Sequence, residues 1–429
     1  MCYNKSIIER KESKELPYLL PHQLDLSGKR IIYRAPFDIE PTFKDKKPVI
    51  QDKARLEVGL QTLKYLLDQN CSVVIMNKVG RPDGQYEEKL SNKPHAEALQ
   101  KLIKQPITFH PFMPKMELST LSTQLKNEKT GQGSLHMLDN LRFYPEEEDN
   151  DAKFAEILAG FGDLMVFDDF PEAHRKHASV TGLMTILETI SGYYFDSEYK
   201  SLKNLLEEPL HPFTVVLGGA KLEGKLEALR RITTFADHLI LGGIPANYFM
   251  KLKRVDIGNS PYGNPNRRYE ELADDIINNS SEKLVLPTDV IVETKAGKLK
   301  KCLVKDLGKD DIIVDLGKNS VKMIENIVKN SKTLFWNGPL GVCDRPVTSH
   351  ATEKLAEAVA KIDGVSIVGG GDTHKLLTKL TPKVHPTFMS LGGGSSLTFL
   401  AEGTLPVLPL LHIWRNKIIK ARGLVPAKV

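Results

Sequence analysis

Short β-branched runs alternate with helix-patterned stretches along most of the chain, and this alternation constrains the fold more than any other feature. Lys29-Arg-Ile-Ile-Tyr-Arg34, Ser72-Val-Val-Ile-Met76 and Leu164-Met-Val-Phe167 read as strands, whereas Arg55 to Gln69 carries Leu56, Leu60, Leu63, Leu66 and Leu67 at helical spacing. Strands that alternate with helices point to βαβ units and a parallel sheet with both faces covered. A second series runs through Phe213-Thr-Val-Val-Leu217, Leu239-Ile-Leu241, Leu284-Val-Leu286, Ile312-Ile-Val314, Leu334-Phe-Trp336 and Ser366-Ile-Val368. These runs end at or beside glycine, proline or aspartate, the carboxyl edge where doubly wound sheets bind ligands.

A chain of 429 residues exceeds one ordinary core, so two lobes are expected. The long amphipathic stretch around Thr181–Glu207 divides the series, and an interdomain helix is expected over 187–207. The first lobe then covers 28–186 and the second 208–405. Residues 1–27 read as a polar, proline-punctuated extension. The basic, helix-patterned tail 406–429 is expected to pack at the lobe boundary or to end in solvent. A composition of 41% hydrophobic and 26% charged residues excludes a disordered or membrane chain as the leading class. The net charge of +5 suits anionic small ligands better than a nucleic-acid groove. Cys2, Cys71, Cys302 and Cys343 are widely spaced, which argues against a zinc site or disulfide framework and fits a reducing compartment. No apolar stretch of signal or transmembrane length is present, so a cytoplasmic protein without membrane or nucleic-acid partners is expected.

Two triple-glycine runs stand out, Ile367-Val-Gly-Gly-Gly-Asp-Thr373 and Ser390-Leu-Gly-Gly-Gly-Ser-Ser396. Glycines between a strand and a helix let backbone N–H groups crowd an anion at the helix N-terminus, and Asp372 could hold a metal against it. Gly219-Ala-Lys-Leu-Glu-Gly-Lys225 satisfies a P-loop spacing, but Leu226 stands where the Mg²⁺-binding hydroxyl would be. Lys221 and Lys225, at i and i+4, are expected to share one helical face suited to a polyphosphate; a solvated lysine face is the plain alternative. In the first half Arg34, Arg55, Arg81, Arg142 and Arg175 sit beside strand-end or turn signals, accompanied by Lys78, His174 and His177. Arginine forks recognise phosphate and carboxylate bidentately. Glu146-Glu-Glu-Asp149 reads as a solvated acidic loop. A basic bowl in one half and glycine-rich turns in the other suggest phosphoryl transfer between two substrates.

With these motifs in order, residues 28–405 resemble the phosphoglycerate kinase family. The resemblance is carried by Lys29–Arg34, Val79-Gly-Arg-Pro-Asp-Gly84, Asp139-Asn-Leu-Arg-Phe-Tyr-Pro-Glu-Glu-Glu148, Ala173-His-Arg-Lys-His-Ala-Ser179, Leu217-Gly-Gly-Ala-Lys221, Trp336-Asn-Gly-Pro-Leu-Gly-Val342, Val368–Thr373 and Gly392-Gly-Gly394. It implies an α/β fold of two Rossmann-like lobes with parallel sheets joined by a long helix. It also implies a monomer that moves a phosphoryl group between ATP/ADP and 3-phosphoglycerate/1,3-bisphosphoglycerate, with Mg²⁺ and lobe closure. By resemblance Arg55 would bind the triose carboxylate and steady the moving phosphoryl, while Arg81, Arg142 and Arg175 hold the other phosphate; Arg34, Asp38, Lys78 and His174 complete that site. Lys221 would neutralise the group in transfer and Lys225 the nucleotide phosphates. Gly218, Gly219, Gly242, Gly243, Asn337, Gly338, Pro339 and Thr373 would line the nucleotide site, and Asp344 stands for a ribose-binding glutamate. Gly369, Gly370, Gly371, Gly392, Gly393 and Gly394 would supply backbone donors, with Gly371 and Gly394 nearest the chemistry, and Asp372 would position Mg²⁺.

The chain departs from the family where the two substrates are recognised. Pro36 replaces an aspartate, Asp38 an asparagine that faces an anion, and Asn77-Lys78 a Ser-His pair. Asp38 would repel an anionic ligand unless Arg55 pairs with it. Pro171-Glu172 replace Gly-Thr, Ile244 brings a branched side chain toward the adenine, Leu391 stands for a threonine and Thr398 for a glutamate. Two alternatives therefore stay open: a kinase of the same chemistry with another phosphorylated acid as acceptor, and a nucleotide-binding regulator without turnover.

Overall fold

The computed structural model describes residues 15–424, except 46, 52, 128–132, 223 and 381–384. Residues 15–199 with 404–424 form one compact unit and residues 200–403 a second. The sheet of the first unit contains β1 (Arg30–Arg34), β2 (Ser72–Met76), β3 (Thr108–His110), β4 (Leu135–Leu138), β5 (Leu164–Phe167) and β6 (Thr189–Ser191) in the order β3-β4-β2-β1-β5-β6. All neighbours are parallel. The chain leaves β1 toward β2 and later returns on the other side at β5, so the order reverses beside β1. Arg34 lies level with Met76 on one flank and Phe167 on the other, which makes the three strands stop together. Every residue of β1 is buried, the condition of a central parallel strand covered on both faces. Ile31, Tyr33, Val73, Ile75 and Val166 meet Leu56, Leu63 and Leu66 of the helix Ala54–Asp68 in the core.

The second unit repeats the plan with β7 (Phe213–Leu217), β8 (His238–Leu241), β9 (Leu284–Val285), β10 (Thr333–Asn337), β11 (Val365–Gly369) and β12 (Phe388–Ser390), ordered β9-β8-β7-β10-β11-β12 and parallel throughout. The register again aligns the strand ends: Leu217 pairs across to Leu241 and Asn337, Asn337 to Gly369, and Gly369 to Ser390. The fold is the α/β architecture with two parallel sheets that the alternation implied.

Several local expectations are corrected. Ile312-Ile-Val314 belongs to a separate antiparallel sheet of Asp289–Glu293, Leu299–Leu303 and Ile312–Leu316, not to the parallel one. The helix expected from residue 187 begins at Tyr193 and ends at Glu207, because Thr189–Ser191 pair with β5 as the edge strand. Within the supposed extension, Tyr18, Leu19, Leu20, Leu24 and Leu26 are buried core residues; residues 1–14 lie outside the described ones. The helix Val407–Arg422 is not a solvated end. It buries Leu411 and Ile418 on the first unit, Trp414 Nε1 donates to the Met184 carbonyl at 2.6 Å, and Arg415 pairs with Glu15 at 2.6 Å. Nor is Glu146-Glu-Glu-Asp149 simply solvated. Pro145–Glu148 is a helical turn whose Glu147 is wholly buried and accepts from the Ser179 backbone at 2.9 Å.

Asp168, one residue beyond β5, ties β1 to the helix Tyr193–Glu207. Tyr33 donates to it at 2.9 Å and the Phe195 backbone at 2.8 Å. Burial pushes its carboxyl up to about 6, whereas an unfolded aspartate titrates near ~3.9. The folded chain therefore holds the proton more tightly than the unfolded one. The stability this contributes is fully present below about pH 4 and is lost as pH rises through about 6. In urea titrations between pH 4 and pH 7 the Asp168→Asn chain should lose less stability with rising pH than wild type, and parallel curves would refute this.

Candidate functional site

The common stopping level of β1, β2 and β5 makes the residues just beyond them converge. These are Arg34, the pair Asn77-Lys78, and the loop Asp168 to His177; the loop Asp139 to Arg142 after β4 joins them. The floor is polar and tightly bonded. Asn140 accepts from the Val79 backbone at 3.0 Å and donates to the Val79 and Leu90 carbonyls at 2.7 and 3.1 Å. Asp139 accepts from Ser91, Asn92 and Phe112 at 2.8–3.1 Å. Arg34 has no solvent exposure and pairs with Asp169 at 2.7 Å while its Nε donates to Ser179 at 2.9 Å. It underlies the site instead of facing it.

Above that floor three of the expected cations gather around one carboxylate. Glu172 receives Lys78 at 2.8 Å, Arg175 at 3.1 Å and Arg142 at 3.3 Å, and its side chain is only 4% exposed. Burial alone would raise its pKa, but Lys78, Arg175 and Arg142 together hold it well below the usual carboxylate range. Lys78 also pairs with Asp38, and Arg142 Nε lies 2.9 Å from Glu148. Asp38 is therefore neutralised mainly by Lys78, with Arg55 assisting, where the sequence suggested Arg55 alone; these cations outweigh the burial that would raise its carboxyl. His177 lies 3.9 Å from Glu172, but burial lowers its pKa to about 4, so it adds no charge at neutral pH. His174, half-buried, is lowered by burial and by Arg175. Arg55 is half-buried at the start of the helix Ala54–Asp68, and Arg81 is exposed at the Pro-Asp-Gly turn. Sequence reasoning noted Glu172 only as a replacement and missed its place at the hub. Its one signal was an acidic residue two positions ahead of His174-Arg175-Lys176-His177.

At the carboxyl edge of the second sheet, loops are laced backbone to backbone. Gly218 N donates to Asn337 O at 3.0 Å, Gly219 N to Pro339 O at 2.6 Å, Gly243 N to Leu340 O at 3.1 Å and Ile244 N to Gly219 O at 3.0 Å. A Cβ on Gly218 would meet the Pro339 carbonyl at 2.0 Å, and one on Gly338 the Gly218 carbonyl at 2.4 Å. Gly242 is held in the same way against Leu340. These glycines permit loop-on-loop contact. Thr373 is buried and accepts from Gly338 N at 3.1 Å, and Asn337 is buried beside Gly369. Gly370 and Gly393 have φ of +99° and +54°, which accounts for glycine at both. Gly371 is different: it opens the helix Gly371–Leu380, and an added Cβ would meet nothing within 4 Å. Gly394 is likewise exposed, at the start of the helix Gly394–Glu402, just after the buried Gly392.

A pocket of about 430 Å³ is lined by Gly219, Ile244, Pro339, Asp315, Asp344 and Lys375 among others. An adjoining pocket of about 760 Å³ shares Ala220, Ile244 and Pro261 with it and adds Lys221 and Tyr262. The helix here begins only at Lys225, so Lys221 is an exposed loop residue and the two lysines do not share a helical face. Lys225 is buried and its Nζ donates to the Gly218 carbonyl. Asp315, Tyr262 and Lys375 were not foreseen. Asp315 reaches the pocket from the antiparallel sheet, an arrangement no spacing in the sequence reveals. The Asp372 side chain lies outside the described residues, and among those described no three metal-ligating side chains cluster.

The family model for phosphoglycerate kinase matches residues 22–403. Among curated relatives, the phosphoglycerate kinase of Pseudothermotoga lettingae is 35% identical over 390 residues, covering 89% of this chain and 96% of its own. That of Syntrophobacter fumaroxidans is 32% identical over 397 residues, covering 91% and 97%. Among solved structures, phosphoglycerate kinase from Coxiella burnetii matches with a TM-score of 0.78 at 29% identity, covering 93% of this chain and 100% of that one. The enzyme from Pyrococcus horikoshii matches with the same TM-score and coverage at 26% identity. Parallel sheets with aligned strand ends, cations gathered at one edge and glycine-laced pockets at the other thus agree with sequence likeness over nearly the whole chain: it belongs to the phosphoglycerate kinase family.

Proposed function

We propose that the chain transfers a phosphoryl group reversibly between ATP and the carboxyl group of 3-phosphoglycerate, the acid held at the Arg142–Arg175 edge and the nucleotide at the Gly219–Asp344 edge. The observation that carries this reading is the division of labour between the two sheet edges. One collects arginines and a lysine, and the other presents pockets lined by glycine, Ile244 and Asp344. Phosphoryl transfer passes through a loose transition state whose charge sits on the equatorial oxygens, so catalysis consists of positioning and electrostatic stabilisation. In this reading Arg55 steadies the acceptor carboxylate and the moving group, and Arg81, Arg142 and Arg175 hold the phosphate that stays. Lys221, exposed at the loop, neutralises charge on the moving group. Lys225, clasped to the Gly218 carbonyl, fixes the loop that approaches the nucleotide phosphates.

The helices beginning at Gly371 and Gly394 turn the positive ends of their dipoles toward an anion. The open space above Gly371 is what a closely approaching ligand requires. Mg²⁺ typically takes one or two carboxylates plus substrate phosphates, so Asp372, directly after Gly371 at that helix start, is the residue that would hold it. When bound, Mg²⁺ would screen the phosphate charges. In this reading the enzyme acts as a cytoplasmic monomer, and its mild net charge of +5 suits small anionic partners.

A coupled assay with ATP, Mg²⁺ and 3-phosphoglycerate should show turnover, and none at millimolar substrate would sink the proposal. Lys221→Ala should lower kcat by about 10²–10³-fold while ATP affinity changes only a few-fold, as removal of a transition-state donor does; equal losses in both would count against that role. Gly371→Ala should leave the melting temperature unchanged or slightly raised, since nothing in the fold meets the new methyl, yet weaken ATP binding. A drop in melting temperature with intact binding would show that Gly371 serves the fold and not the ligand.

A further inference from the structure

The first-lobe edge carries an anion of its own. Lys78, Arg142 and Arg175 all point at Glu172, at 2.8, 3.3 and 3.1 Å. Two of them have further carboxylates: Asp38 on Lys78 and Glu148 on Arg142. In these contacts Lys78, Arg142 and Arg175 face three carboxylates, so these three cations are already charge-matched before any ligand arrives. Glu172 is held at the hub by its backbone as well. Phe170–Glu172 is a short 3₁₀ turn with Pro171 at its second position, and the Arg175 N–H donates to the Glu172 carbonyl at 2.9 Å, so the side chain springs from an ordered turn into the cations. A carboxylate with two oxygens bound by guanidinium and ammonium groups has the same donor geometry that a phosphate monoester would claim.

We infer that Glu172 is a specificity-determining residue: its carboxylate occupies the cationic subsite and competes with the phosphate of the acceptor for Lys78, Arg142 and Arg175. This rests on the reading of that edge as the acceptor site. A phosphate dianion cannot share these cations with Glu172 in place without close like-charge contact, so binding requires the side chain to swing out and the three cations to be handed over. The exchange makes acceptor affinity depend on ligand charge. A phosphorylated acid, with two charges to offer, displaces Glu172, and an acid lacking phosphate does not. The nucleotide site is untouched, since no residue of the pockets at Gly219, Ile244 and Asp344 takes part.

Calorimetry on the full chain tests this with 3-phosphoglycerate, glycerate, inorganic phosphate and ATP. Glu172→Gln keeps the shape and removes the competing charge. It should tighten 3-phosphoglycerate and inorganic phosphate by about tenfold or more, leave glycerate and ATP within about twofold, and lower the KM for 3-phosphoglycerate without a matching fall in the KM for ATP. Glu172→Asp keeps the charge balance of the fold and draws the carboxylate back by one methylene, so it should give a smaller gain of the same kind. Unchanged or weaker phosphate binding in a folded variant would overturn the inference, as would equal gains for glycerate. Inorganic phosphate separates this from the functional reading. If 3-phosphoglycerate is neither bound nor turned over while Glu172→Gln still tightens inorganic phosphate, the acceptor assignment fails and the competition stands.

Discussion

Parallel pairing with aligned ends is the constraint on which both halves of this molecule depend. In an antiparallel sheet the strand ends would alternate between edges. Here every strand of each main sheet delivers its carboxyl end to one edge, and the register stops neighbouring strands at the same residue level. The loops that follow begin with backbone groups the sheet no longer pairs and side chains it no longer buries. Two main sheets built on one plan thus each offer a preformed edge, and the chemistry of each edge is set by which residues the sequence places just past the last hydrogen bond.

In the first lobe those residues are charged, and burial makes charge expensive unless it is paired. The floor follows that rule with Arg34 on Asp169 and Glu147 on Ser179. The upper layer follows it through Glu172, which is why the family replacements near this edge belong together. Asp38 in place of an asparagine is tolerated because Lys78 in place of a histidine neutralises it, and Lys78 is in turn shared with Glu172. Considered one at a time, each replacement looks like damage to an anion site. As a set they are a charge-balanced cluster.

In the second lobe the recurring residue is glycine, and it serves two different ends. Gly218, Gly242, Gly243 and Gly338 let three loops close on one another at distances no Cβ allows. Gly371 has no such neighbour and faces open space at a helix start. The first group closes the loops on one another, with Gly243 lining the pocket, whereas Gly371 has open space where a side chain would stand. Ile244 belongs to both worlds, its N–H in the lacing and its side chain lining the pockets.

Much of this was legible in the residues themselves. The alternation of β-branched runs and helical spacing is a local property, so it determined two parallel α/β lobes and put Arg142, Arg175, Lys221 and the glycine runs at strand ends. The pairing of side chains is not local. Glu172 is 94 residues beyond Lys78 in the chain, and only the shared stopping level of β2 and β5 makes them neighbours. The same holds for Ile312–Leu316, whose apolar run suits a parallel sheet yet pairs antiparallel with Asp289–Glu293, bringing Asp315 into the pocket. The segment Tyr18–Leu26 read as a polar extension, and the tail helix Val407–Arg422 left open packing or solvent, because their partners lie far along the chain. Sequence determined which groups were available at each edge, because strand ends are set by local pattern. Tertiary structure decided which of them neutralise one another, because Coulomb attraction and burial act on distances in space, not on spacing in the chain.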